Sequence, residues 1–318
     1  MSRRWIMPLL LLAGFAAAWA VARFDLVNPY RQQVLMVAGI NIILAVSLNL
    51  VNGYMGEFSL GHAGFMALGA YGSAIISVML VPEGAVTWRF PLAVGGGGAA
   101  AALAGLLLAI PSFRTRGDYL AIVTLAFTMI VKSVLENIEA VGGPRGMVEM
   151  ERLTTLPWTY AWVLATVWLT RNFVHSGFGR GTLAIREDEI AAELMGVHTR
   201  RTKMQAFVIS AFFAGVAGGL FAHLVVFISP KVFDLLKMTD MLVMMYLGGI
   251  GSLGGSILGA TIFTALQEAL RQPRLEVLRM VLMPLLLVLL MLFRPRGIMG
   301  LREFSWLIPK DRHDDPKQ

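Results

Sequence analysis

The chain has 318 residues, 57% of them hydrophobic and 15% charged. Soluble domains carry about 25% charged residues, and here the apolar residues gather into runs of about 17–25, enough to cross a bilayer as helices, so an ordinary soluble domain is excluded. The net charge of +7 comes from Lys and Arg at the ends of those runs, the pattern that orients membrane proteins and not a nucleic-acid-binding face; the absence of cysteine excludes thiol catalysis, disulfides and cysteine metal sites.

Spans are predicted at 5–22, 32–52, 60–81, 89–112, 118–136, 158–175, 204–228, 236–250, 254–271 and 276–293. The first follows Arg3 and Arg4, and its Ala-Trp-Ala at 18–20 resembles a signal-peptide cleavage site; a retained helix is the expectation, because the rest of the chain is membrane-embedded. The run 236–271 is broken by Gly248, Gly249, Gly251, Gly254 and Gly255. Positive charge concentrates in the loop 171–203 and in the tail after 293, which places both in the cytoplasm. An even number of crossings must then separate them, so 236–271 counts as two. The fold expected is all-α: a polytopic bundle of about ten transmembrane helices with both termini cytoplasmic. Residues 1–304 form the membrane domain and 305–318 a polar cytoplasmic tail. The connection 137–157 faces outward.

Three segments hold the polar chemistry. Asn49, Asn52, Glu57, Ser59 and His62 stand among Gly53, Gly56 and Gly61. Polar groups at membrane depth are costly and face interior paths, and glycine permits a broken helix. One reading is a hinge that lines or gates a translocation path. The other is a seam of tightly packed small residues with Glu57 in a cytoplasmic turn. The second glycine break, with Gly248, Gly249, Gly251 and Gly254, repeats the Ser-Leu-Gly of the first (59–61 and 252–254), a weak internal echo of the kind transporters built from repeats display. The run of four glycines at 95–98 reads as close helix packing. Thr124, Thr128 and Lys132 share a helical face, and the simpler reading is ordinary membrane-helix composition with Lys132 snorkelling.

The charged island 177–203 lies between two apolar runs. Residues 188–195 read as a short helix with acidic residues at its start and Gly196 as its cap. Ile190, Ala191, Leu194 and Val197 fall on one apolar face. A docking helix is favoured over a merely solvated charged face. No nucleophile–base pair and no metal-ligand spacing is present, and no Walker motif.

Residues 49–71 (NLVNGYMGEFSLGHAGFMALGAY), 117–130 (GDYLAIVTLAFTMI), 142–147 (GGPRGM), 179–219 (GRGTLAIREDEIAAELMGVHTRRTKMQAFVISAFFAGVAGG) and 246–259 (YLGGIGSLGGSILG) together resemble the LivM-type permease subunits of branched-chain (hydrophobic) amino acid ABC importers. The family's hinge pattern, G-Y-x-G-Q-x-S-L-G-H-x-x-F, carries Gln where this chain has Glu57, and the chain is expected to lack the extra N-terminal spans of some longer members. The resemblance implies a multi-pass permease of the bacterial inner membrane. It would pair with a second related permease subunit, two cytoplasmic ATP-binding subunits and an external substrate-binding protein. No cofactor is bound by this chain; ATP is used by the partner ATPases. Ala191, Ala192 and Gly196 match the Ala-Ala-x-x-x-Gly part of the EAA loop, with Glu189 one residue earlier than the usual Glu. The resemblance thus assigns ATPase coupling to Arg186, Glu187, Asp188, Glu189, Ala191, Ala192, Glu193 and Gly196. Alternatives are an ABC permease for urea, amides or aromatic acids, a self-sufficient secondary transporter, and an intramembrane enzyme centred on Glu57 and His62, for which no second catalytic group is found.

Overall fold

The computed structural model describes residues 14–16, 20, 27–80, 86–113, 119–148, 150–271, 276–294, 297–300 and 302–304. The predicted span 5–22 lies almost wholly outside them, as does the tail 305–318. The described chain is helical: α1 (Pro29–Asn49), running on as a π-helical turn (Leu50–Met55), α2 (His62–Ile75) with a second π-helical turn (Ile76–Leu80), α3 (Val86–Ser112), α4 (Tyr119–Asn137) and α5 (Leu156–Val174). Two short helices follow, α6 (Gly177–Glu187) and α7 (Glu189–Leu194), then α8 (Thr199–Val225), α9 (Leu235–Gly248), α10 (Leu253–Ala269) and α11 (Glu276–Phe293). A hydrocarbon interior offers no water to backbone N–H and C=O groups, so helices, which satisfy their own, are the form these apolar runs take. Each predicted span within the described residues is a helix, displaced by a few residues at its ends.

Among the described residues, four helices, Pro29–Met55, Arg89–Ser112, Tyr119–Asn137 and Thr199–Val225, are long and apolar enough to cross a membrane. The apolar stretches of α1 and α8 are mostly buried and that of α4 mostly exposed, so α1 and α8 form the centre and α4 the rim. The main contacts join α8 to α2 and α3, while α1 packs on α5, α8 and α10. Helices α9 and α10, of 14 and 17 residues, reach about 21 and 26 Å, short of a core of about 30 Å. They pack antiparallel as a hairpin: Gly248 lies against Gly255, and Gly259 against the carbonyl of Met244.

The tight centre depends on small residues. A Cβ on Gly69 of α2 would stand 2.1–2.4 Å from the backbone of Gly215 on α8. Within the four-glycine run, Gly97 approaches the carbonyl of Gly69 and Gly98 meets Val216 and Phe212, while nothing lies within 4 Å of a Cβ on Gly95. Close packing therefore holds for part of that run, and Gly95 is open.

The two ends of the bundle are distinct. At one end Met147 and Ile228 form an antiparallel bridge, N–H to O distances 2.8 and 3.1 Å, which ties the 137–157 connection to the α8–α9 connection. Lys132 of α4 pairs there with Asp234, the N-cap of α9, at 2.7 Å. The two glycine breaks and the α6–α7 segment gather at the other end.

These contacts predict opposite outcomes for two glycines. Gly69→Ala must open the α2–α8 seam and should lower stability by about 1–3 kcal/mol, the usual penalty of overpacking. Gly95→Ala removes backbone freedom from an open helical position and should be neutral or stabilising by up to about 1 kcal/mol. Thermal unfolding in mild detergent measures both, and equal melting temperatures for the two variants would contradict the packing described.

Candidate functional site

The first break begins where α1 loosens into the π-helical turn. The N–H groups of Gly56 and Glu57 both reach the carbonyl of Val51, and Gly56 adopts φ 77°, a left-handed conformation that suits glycine. The chain then runs without helix from 56 to 61. Asn52 spans this stretch, accepting from Ser59 N–H at 3.1 Å and donating to the Ser59 carbonyl at 3.4 Å. Thr124 of α4 accepts from Leu60 N–H at 2.9 Å, and Thr128 donates to the Leu60 carbonyl at 3.3 Å. The threonines read as ordinary composition thus hold the hinge.

The second break turns between α9 and α10. Gly249 and Gly251 have φ 140° and 76°, and Ser252 caps α10 by accepting from Gly255 N–H at 2.9 Å. After α11, residues 298, 299 and 303 lie across this turn. Ile298 and Met299 donate to the carbonyls of Leu247 and Gly248, each at 3.0 Å. The Glu303 carboxylate accepts from Leu253 N–H at 2.7 Å and Gly254 N–H at 2.8 Å, where the positive end of the helix dipole favours an anion.

Asn49, fully buried, joins the two breaks. Its Nδ2 donates to Ser256 Oγ at 2.7 Å and to the Ser252 carbonyl at 2.9 Å, with the Gly249 carbonyl at 3.4 Å. Its Oδ1 accepts from Gly251 N–H at 2.8 Å. Gly53, one turn on, would bring a Cβ to 2.5 Å from Gly251 N, so no side chain fits between the hinges. His62 takes another place: it is wholly buried, with Nε2 2.9 Å from Ser210 Oγ on α8, a packing position between α2 and α8.

The α6–α7 segment closes over the first hinge. The helix expected at 188–195 is α7. Asp188 is its N-cap, accepting from Ile190 and Ala191 N–H at 2.9 and 3.0 Å. Gly196, at φ 86°, ends it, with Gly196 N–H on the Glu193 carbonyl and Val197 N–H on that of Ala192, each 3.0 Å, the paired bonds of a glycine-terminated helix. Only Ala192 of this helix is buried. Ile190, Leu194 and Met195 are 66%, 84% and 85% exposed, and Ala191 and Glu193 are exposed beside them. Of the apolar face read from the sequence, Ile190, Ala191 and Leu194 therefore point away from the protein, while Val197 is half-buried beside Gly181.

Two cations attach this segment to the hinge. Arg186 at the end of α6 packs on Gly56 and reaches the Gly53 carbonyl at 3.3 Å while pairing with Glu187 at 2.7 Å. Lys203 of α8, its side chain 8% exposed, lies 2.5 Å from Glu57 and 2.8 Å from Glu189. Lys203, Thr124, Thr128 and Glu303 are the site residues that sequence reading did not select. Lys203 lay in a basic cluster read for orientation and as the flank of a docking helix, and no local signal links Glu303 to residues 253 and 254. Asn41 bonds Thr264 at 2.9 Å in the α1–α10 seam. Toward the opposite end that seam widens into a cleft of about 240 Å³ lined by Gln33, Thr264, Gln267, Glu268 and Arg271, among others.

The family described as "Branched-chain amino acid transport system / permease component" matches residues 30–291. The chain is 33% identical to the high-affinity branched-chain amino acid transport system permease protein LivM of Escherichia coli, over 92% of this chain and 74% of that protein. LivM of Salmonella typhimurium matches with the same identity and coverage. The chain is also 27% identical to LivH of Escherichia coli, over 81% of this chain and 90% of that protein. The chain belongs to this family of permease components and is an integral membrane protein.

Asn49→Ala strips the acceptor from Gly251 N–H and the bonds that Asn49 Nδ2 makes to the second hinge. An orphaned buried donor costs about 1–3 kcal/mol, so the variant should unfold several degrees below wild type in detergent. Asn52→Ala, which loses bonds only within the first hinge, should be milder. The same thermal scan, read by tryptophan fluorescence, ranks the two, and an unchanged midpoint for Asn49→Ala would contradict the bridging role.

Proposed function

We propose that this chain is the membrane-spanning permease subunit of an ATP-driven importer of the bacterial inner membrane, carrying branched-chain or other small amino acids. In this reading α7 is the docking element for a cytoplasmic ATPase. The observation that carries it is the exposed apolar face of Ile190, Leu194 and Met195 on a helix capped at both ends. A soluble face of that kind is avoided unless something covers it. The helix is short and rigid, so a partner gripping it can push the hinge end as a body.

The substrate class is taken from the names of the relatives, which are permeases of branched-chain amino acid transport systems. The similarity to both LivM and LivH supports a second, related permease as partner, two ATP-binding subunits below and a substrate-binding protein outside. Positive charge around α6–α8 and after α11 supports a cytoplasmic hinge end. The seam between α1 and α10 offers polar side chains along its length, from the cleft at Gln33 and Gln267 through Asn41 and Thr264 to Asn49 and Ser256. Such groups at membrane depth fit an interior path, and the stapled hinges close it at the inner end. The work of this chain is positional: binding and hydrolysis of ATP belong to its partners.

Tagged protein purified in mild detergent from its native membrane should carry an ATPase and a second permease. Leu194→Glu removes an apolar group worth about 1.5–3 kcal/mol when buried without touching the protein's own core. It should lower ATPase recovery at least about ten-fold while leaving membrane insertion and monodispersity as in wild type. Wild-type protein recovered alone, with leucine uptake in ATP-free vesicles, would reject the reading in favour of a secondary transporter.

A further inference from the structure

The ion pairs around Lys203 join the first hinge to α7. A lysine this buried needs compensation, because a desolvated charge left unpaired is strongly destabilising. Here the compensation is divided. Glu57 belongs to the non-helical stretch 56–61 of the first hinge, and Glu189 to the first turn of the docking helix α7. The two carboxylates come from segments more than a hundred residues apart and share one ammonium carried by the central helix α8. Glu189 is the more exposed of the two, 43% against 23%, and it is the one that a displaced α7 would carry away. If Glu189 withdraws, Lys203 keeps Glu57 as its carboxylate partner, and a shift of that remaining pair reaches the first hinge. Arg186 provides a parallel contact to the same hinge, through the Gly53 carbonyl.

We infer that Lys203 is the positioning residue of the coupling step: through Glu189 on one side and Glu57 on the other, it converts movement of the docking helix into movement of the first glycine hinge. The inference deepens the proposed function and rests on it. It concerns what lies behind the docking face, and it assigns a role to a side chain buried there.

The test uses the whole transporter, reconstituted with its partner permease, ATPases and external binding protein, and reads uptake of radiolabelled leucine per ATP hydrolysed. That ratio separates coupling from folding, because a misfolded fraction lowers both quantities together. Wild type, Lys203→Arg, Lys203→Met and the full reversal (Lys203→Glu with Glu57→Lys and Glu189→Lys) are compared. Lys203→Met is expected to retain bound ATPase yet lose at least ten-fold in the ratio. Lys203→Arg should keep most of it, and the reversal should regain at least half of the wild-type value. A wild-type ratio in Lys203→Met, or an assembled reversal no better than Lys203→Met, overturns the inference and leaves the importer reading standing. Failure of the wild-type chain to bind any ATPase overturns the importer reading, and the inference with it.

Discussion

The buried amide of Asn49 is the constraint on which the arrangement depends. Two helical breaks about two hundred residues apart in sequence must meet, and each exposes backbone groups that helices would otherwise satisfy. One side chain with both a donor and an acceptor resolves this: Asn49 gives its Nδ2 to the α9–α10 turn and takes the N–H of Gly251. An aliphatic residue at this buried position would leave polar backbone unpaired. The close approach of Gly53 to Gly251 follows from the same contact. With the hinges joined, residues 298, 299 and 303 can lie across the turn, with Glu303 on the start of α10.

Around that junction the charges are arranged in layers. Glu303 secures the second hinge through backbone N–H groups, and Lys203 secures the first through Glu57. The α6–α7 segment stands outside both, attached by Arg186 and by the second partner of Lys203. A force applied to α7 in the proposed importer would therefore meet charged contacts before it met the packed core. Charged contacts of this kind can exchange partners, whereas the glycine seam between α2 and α8 has no room to slide. The division between a stiff bundle and an adjustable end is what a gate requires.

Local features were legible in the sequence, and long-range pairings were not. Helix α7 and its glycine cap could be read because capping depends on residues a few positions apart. The split of 236–271 followed from its glycines and from charge bias. Helix α6 was not foreseen as a helix, since Gly177, Gly179 and Gly181 disfavour one; its Ser176 cap and its packing on α8 override propensity. His62 looked like a path residue because it is polar, yet its neighbours Ser210 and Phe65 make it part of the core. The likeness of the two Ser-Leu-Gly breaks was visible, but not that Asn49 would bind one to the other. Lys203 looked like one more positive charge near a membrane surface, and only its burial between two carboxylates distinguishes it.

The proposal that both hinges and α7 form one cytoplasmic end, opposite the 137–157 connection, can be tested directly because the chain has no cysteine. Single replacements Phe58→Cys, Leu194→Cys and Val148→Cys fall at exposed side chains. Each is treated with a membrane-impermeant maleimide in right-side-out and in inverted membrane vesicles. Labelling of positions 58 and 194 only in inverted vesicles, and of 148 only in right-side-out vesicles, is the predicted result. Labelling of positions 58 and 148 from the same face would contradict it.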